Sequence, residues 1–309
     1  MKNKLFKIQY LINKILSNKF ATDLIYGLPI FHTSKGHQGN IKPHIEFLNH
    51  NSNYKIGNFY LKVKNYVKSL FVDKKIFYSK NIKYQKFDVF LLSNIISDRK
   101  VKDDYIFGDL ADYLNKNDVK TLTIFKNFSN INSKKINNSL RRPFVILSNT
   151  IGVLGEIALL YNLFLVSNSI KLLMKKINNK KIKIFLNQVN RLKNIIPIIS
   201  NIRLYYQINF LIKKYQPNVI VFTFENHAWE RYLIKKIKSN HKNIKTLAYQ
   251  FTTISKDQYT KFSKKDYEPD FVLSSGSKIY SFLSKVFKKK TKVLNFGSYR
   301  QQKIITKKN

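Results

Sequence analysis

The chain has 309 residues, enough for one large domain or two ordinary ones, and 44% of them are hydrophobic, which excludes global disorder. It contains no cysteine, so disulfides, thiolate zinc sites and cysteine nucleophiles are excluded, and a reducing cytoplasm suits it. The net charge is +40, from 57 Lys and Arg against 17 Asp and Glu; AT-rich codons produce such a lysine-rich, arginine-poor composition, and the resulting surface attracts anionic partners whatever its origin.

Residues 1–20 place Leu5, Ile8, Leu11, Ile12, Ile15 and Leu16 on one helical arc, opposite Lys7, Asn13, Lys14 and Asn18. Gln9, Asn13 and Lys14 break the continuous apolar stretch that a signal peptide needs. Two readings stand: a basic amphipathic helix lying on an anionic membrane, or a helix capping the domain that follows. The apolar run Leu24–Phe31 leads into Ser34-Lys35-Gly36-His37-Gln38-Gly39. His37 between two glycines is a candidate acceptor contact in a donor-rich loop, or part of a plain turn.

Phe87–Leu92 reads as a strand, Ile106–Asn115 as a helix, and Val119–Phe125 and Pro143–Leu147 as strands. Residues 156–215 read as a mostly helical insertion broken near Pro197, while 128–140 and 176–183, rich in Asn, Lys and Ser, read as exposed loops. The most apolar stretch, 151–174, is interrupted by Glu156, Asn162 and Asn168. No unbroken apolar run reaches the ~20 residues needed to span a bilayer, so a buried helix is expected there. Val219–Phe224, Lys245–Phe251, Phe271–Leu273 and Lys292–Phe296 read as further strands, with helices over 229–239 and Ile279–Val286. Residues 301–309 have no core-forming pattern and are expected to fray.

This alternation predicts an α/β fold, a parallel Rossmann-like sheet with helices on both faces, over residues 21–300. Right-handed crossovers would place all strand carboxyl ends along one rim. Glu225, the segment 250–253, Ser274–Gly276 and Gly297–Arg300 would meet there.

The densest reactive cluster follows the strand ending at Phe224. Glu225 suits a general base whose pKa an apolar setting would raise, or an acid placed at a helix N-terminus for its dipole. Glu230 is the runner-up acid, or an ion-pair partner. His227 can share protons or contact a phosphate, and Trp229, the sole tryptophan, can stack on a sugar or fill the core. Tyr249, Gln250 and Thr252 offer amide and hydroxyl groups for a polyol, or cap a turn. Ser275 and Gly276 expose backbone N–H groups between a strand and a helix, and Arg300 can fork onto a phosphate. No P-loop, dinucleotide glycine motif, zincin motif, nucleophile elbow or metal-ligand cluster is present, and nothing reads as a nucleic-acid module.

Taken in order, Phe224-Glu225-Asn226 with Trp229-Glu230, then Ala248-Tyr249-Gln250-Phe251-Thr252, then Pro269-Asp270 to Gly276, then Gly297-Ser298-Tyr299-Arg300, resemble motifs of bacterial surface-carbohydrate (O-antigen and capsule) biosynthesis proteins. That family looks like GT-B glycosyltransferases; Phe107-Gly108-Asp109-Leu110 fits its earlier region. The likeness covers roughly residues 85–300. It implies the N-terminal, acceptor lobe of a metal-independent transferase. The substrates would be a nucleotide-sugar donor and a glycan or lipid-linked hydroxyl acceptor, with no further cofactor. The setting would be the cytoplasm, at the inner face of an anionic membrane. In that role Glu225 or Glu230 would deprotonate the acceptor, while His37, His227, Trp229, Tyr249, Gln250, Thr252, Ser275, Gly276 and Arg300 would bind substrate. Two departures stand out: Phe251 replaces the family's histidine, and the sequence stops where the donor lobe would begin, so three readings stand: a fragment, a split gene with a separate C-terminal partner lobe, or a degenerate copy. The alternative is a non-catalytic carbohydrate- or membrane-binding module, or a degenerate fragment.

Overall fold

The computed structural model describes residues 10–31, 75–83, 85–95, 104–128, 133, 142–251, 265–287 and 291–297. Its frame is a sheet of short strands: β1 (Phe77–Tyr78), β2 (Val89–Ile95), β3 (Thr121–Asn127), β4 (Phe144–Ile146), β5 (Val219–Thr223), β6 (Lys245–Gln250), β7 (Phe271–Ser274) and β8 (Lys292–Asn295). These runs are short and rich in Val, Ile, Phe and Thr, and the central ones are apolar at almost every position. That pattern is expected of parallel strands covered on both faces. The strands lie in the order β1-β4-β3-β2-β5-β6-β7-β8. Every neighbouring pair is parallel except β1 with β4. The antiparallel edge departs from the all-parallel expectation. A two-residue strand is too short to show a period, so β1 left no pattern to read.

The helices are α1 (Asp23–Tyr26), α2 (Leu110–Lys116), α3 (Val153–Lys176), α4 (Lys180–Val189), α5 (Leu192–Ile195), α6 (Ile198–Tyr215), α7 (Ala228–Asn240) and α8 (Ser277–Val286). From β2 the chain winds outward through β3 to β4, returns through α3–α6 to β5 beside β2, and winds the other way to β8. With right-handed crossovers, a reversal of winding sends the helices to the opposite face. Accordingly Ile106, Phe107 and Ala111 around α2 pack on Leu91, Val221 and Tyr249. Helices α3, α6, α7 and α8 cover the other face, formed by Phe90, Leu92, Leu122, Ile124, Ile220 and Phe222. Between β2 and β5 the reversal opens the crevice where sheets of this kind place ligands. The architecture is Rossmann-like.

Residues 10–16 are helical, and Ile12, Ile15 and Leu16 are buried in the main core. In this described part, the apolar arc of the N-terminal segment faces the domain. Asn179 caps α4 by accepting from the backbone N–H of Lys181 and Ile182, at 3.0 and 3.2 Å, so helix begins inside the stretch expected to be loop. At the other end of the insertion, Gln216 adopts a left-handed conformation (φ 49°) and closes α6 just before Pro217.

Helix α3 is not the buried helix that its composition suggested. Leu159, Leu163, Val166, Ile170 and Leu173 form one buried stripe, while Val153, Leu154, Ile157, Leu160, Tyr161 and Phe164 face outward. The helix is apolar on nearly every side, so composition could not say which side packs. A paired charge fixes it: Glu156 takes two hydrogen bonds from the Arg203 guanidinium, at 2.9 Å from Nε and 2.6 Å from Nη2. Both side chains are largely shielded, which makes the pair costly to break from one side. Arg203→Ala is expected to lower unfolding free energy by about 3 kcal/mol in urea titrations; a loss under 1 kcal/mol would show that the pair is screened by solvent.

Candidate functional site

Strand β5 ends at Thr223, and the Phe224 N–H still reaches the Tyr249 carbonyl of β6 at 2.9 Å. The chain then turns sharply. Asn226 is left-handed (φ 62°), a conformation that Asn tolerates better than most residues, and His227 opens α7 in an extended conformation. The carboxylate of Glu230, in the first turn of α7, reaches back into this turn. It accepts the backbone N–H of His227 at 2.7 Å and that of Glu225 at 3.0 and 3.1 Å. Its reach to the residue three before it is the carboxylate half of a capping box.

The two glutamates therefore do different work. Glu230 has no exposed surface, and both its oxygens hold backbone, so it has no path to a substrate. Glu225 and His227 are about one-sixth exposed, at 17% and 16% of their side chains, and face each other with Oε2 2.8 Å from Nε2. A carboxylate and an imidazole so paired can pass one proton between them. They sit at the carboxyl end of β5, beside the crevice between β2 and β5.

Strand β3 brings a third charge to this rim. Lys126 places its ammonium 3.5 Å from the centre of the Trp229 ring, a close cation–π contact. The Trp229 ring also meets Phe222 edge-on, with centroids 6.4 Å apart. Burial pulls the Lys126 amine down to about 7, and the nearby Glu230 carboxylate opposes that pull. Burial pushes Glu230 well above the ordinary carboxyl range, against the backbone donors of Glu225 and His227. Arg231 is buried beside them; desolvation lowers its guanidinium to about 10, so it remains cationic at neutral pH. A cavity of about 230 Å³ adjoins the lysine, lined by Lys126, Asn127, Ser148, Asn149, Arg203 and Trp229. A wider depression of about 1000 Å³, lined by Asp88, Asn218 and His241 among others, lies at the opposite, amino-terminal rim, where such sheets do not place chemistry.

The other candidate residues are scattered. Tyr249 is buried on the α2 face, against Phe107 and Phe296, with centroids 6.1 and 5.9 Å away. Gln250 is wholly buried at the end of β6. Neither presents its side chain to a polyol in this structure. Ser275 and Gly276 are partly exposed where β7 gives way to α8, two strands from β5 and so on the order of 10 Å away. A Cβ at Gly276 would meet nothing within 4 Å, so no close backbone approach requires glycine there. His37, Thr252 and Arg300 lie outside the described residues. Among the described residues, no three His, Asp or Glu side chains converge as a metal site.

Lys126 is the one member of this cluster that the sequence pattern did not single out. Its signal was the same one that marked Glu225, a charge at the end of an apolar strand. The expected strand stopped at Phe125, whereas β3 runs to Asn127. No family model, curated protein or solved structure matches this chain.

Two measurements test this geometry. Glu230→Ala strands two shielded backbone donors and should cost about 3 kcal/mol, whereas Glu230→Gln, which keeps an acceptor, should cost clearly less; equal losses in denaturant titrations would remove the clasp. After reductive ¹³C-methylation, NMR should show one lysine titrating at about 7, absent from Lys126→Met; uniform titration near 10 would contradict the burial of that amine.

Proposed function

We propose that this chain binds the hydroxyl acceptor in a sugar transfer of the GT-B type, as part of surface polysaccharide synthesis. The observation that carries this reading is the Glu225–His227 pair, 2.8 Å apart and reachable from solvent, at the winding reversal of a Rossmann-like sheet. The order of motifs from Phe224 to Arg300 supports it.

In this reading an acceptor hydroxyl lies against Glu225. Its oxygen attacks the anomeric carbon of a nucleotide-activated sugar as Glu225 takes the proton. The bond from that carbon to the phosphate oxygen breaks, and the nucleoside diphosphate departs with the electron pair. His227 orients Glu225 and shares the proton afterwards, which is what a general base at neutral pH requires of its neighbour. Glu230 holds the turn that sets the pair. The cation on Trp229 lends the rim a positive potential, which suits a donor carrying phosphates.

The test is sugar transfer from a panel of nucleoside diphosphate sugars to glycan acceptors, followed by mass spectrometry. Glu225→Gln should cut turnover by about 10²-fold or more with thermal unfolding unchanged. His227→Gln should lower turnover and shift its acid limb. Full turnover in Glu225→Gln would remove this residue from the chemistry. Glycan binding to the wild-type chain without transfer from any donor would favour the non-catalytic module.

A further inference from the structure

Helix α3 carries more exposed large apolar side chains than any other described element. Val153 and Leu154 are 78% and 83% exposed, and Ile157, Leu160, Tyr161 and Phe164 are each 57–61% exposed. Positions 153, 157, 160 and 164 follow the helical repeat, with 154 and 161 beside them, so the six side chains share one face about 18 Å long. Apolar residues scattered singly are ordinary on a protein surface, but a continuous face of this size marks a contact.

Further along, the same face changes character. Lys171 and Lys175 continue the row from Phe164, Lys176 follows the row of Leu154 and Tyr161, and all three are exposed. The next helix adds exposed Lys180, Lys181 and Lys183. The only acid of α3, Glu156, is turned inward onto Arg203. The face is thus apolar at one end, cationic at the other, and free of carboxylates.

We propose that this face of α3 docks in the plane of an anionic lipid bilayer. Charge selects the occupant. A second copy of a chain with net charge +40 would be repelled, whereas each lysine near an anionic leaflet is attracted to it. The apolar residues enter the acyl boundary, and the lysines reach the headgroups from their aliphatic stems. The helix is long and apolar enough to cross a membrane by composition alone. Crossing would require extracting Leu159, Leu163, Val166, Ile170 and Leu173 from the core and breaking the Arg203–Glu156 pair. That fixes the helix against the sheet, lying along the surface instead of through it. The docking element is therefore α3, since the described part of the N-terminal helix, residues 10–16, already packs Ile12, Ile15 and Leu16 into the core.

This inference stands whether or not sugar is transferred. It also sets an orientation, because α3 starts just after β4, on the carboxyl rim of the sheet, and Arg203 lines the cavity beside Lys126 and Trp229. Docking brings that rim to the headgroup layer.

The experiment is flotation of the full chain with phosphatidylcholine vesicles, with and without phosphatidylglycerol. The wild type should float only with the anionic vesicles. Leu154→Glu/Phe164→Glu should lower partition at least tenfold with unchanged thermal unfolding, since both side chains are exposed. Because the chain has no cysteine, Leu160→Cys labelled with an environment-sensitive fluorophore reports insertion directly and should shift to the blue. Failure to float, undiminished flotation of the double variant, or an unshifted fluorophore would overturn the proposal. A vesicle-free dimer abolished by the same double variant would assign the face to a second copy and overturn it equally.

Discussion

The carboxylate of Glu230 is the tie on which the candidate site depends. It lies without solvent contact between two backbone N–H groups, from Glu225 and His227, whose side chains form the acid–imidazole pair. A buried carboxylate is expensive, and burial alone would drive it neutral. The backbone donors and the nearby Lys126 ammonium offset only part of that cost, and the pKa of the group stays well above the ordinary carboxyl range. The exchange fixes the geometry of a turn that would otherwise have several conformations open to it. Glu225 and His227 are set by the backbone before any ligand arrives, which is the kind of preorganisation that proton transfer at a strand end needs.

The site and the surface of α3 are two results of one topological fact. The chain reverses its winding between β2 and β5, and the long connection from β4 back to β5 must pass over one face of the sheet. That connection supplies α6, whose Arg203 and Gln207 line the cavity, and α3, whose inner stripe seals the core. Among the described residues a single layer of helices covers this face of the sheet, and the outer side of α3, apolar all round, stays exposed. Exposed apolar surface on α3 follows from the layer count as much as from its sequence.

Much of this was legible in the residues. The parallel strands coincide with the short runs read as strands, most clearly at β2 and β5, where burial on both faces selects apolar residues at most positions. Glu225 and His227 stood out for the same reason: a charge that closes such a run has to sit at the rim of the sheet, where the chain leaves the core. The capping role of Glu230 was not read from the residues, because His is an unusual first residue for a cap. What stayed hidden has physical causes. Tyr249 and Gln250 looked like ligand groups because their chemistry suits a polyol, yet side chains alternate along β6 and both of its faces are covered. Lys126 was lost to a strand boundary expected at Phe125, before the end of β3 at Asn127. The exposure of α3 depended on which neighbours it meets, and no single helix encodes that.

Asn226 separates the acid from the imidazole in a left-handed backbone conformation. Most side chains would strain there by roughly 1–2 kcal/mol, and only Gly, Asn and Asp adopt it readily. The requirement belongs to the bend and not to the reaction. A descendant of this chain that lost both Glu225 and His227 would still be held to Gly, Asn or Asp at the single position between them. The middle position would persist as a fossil of the turn after its chemistry had gone.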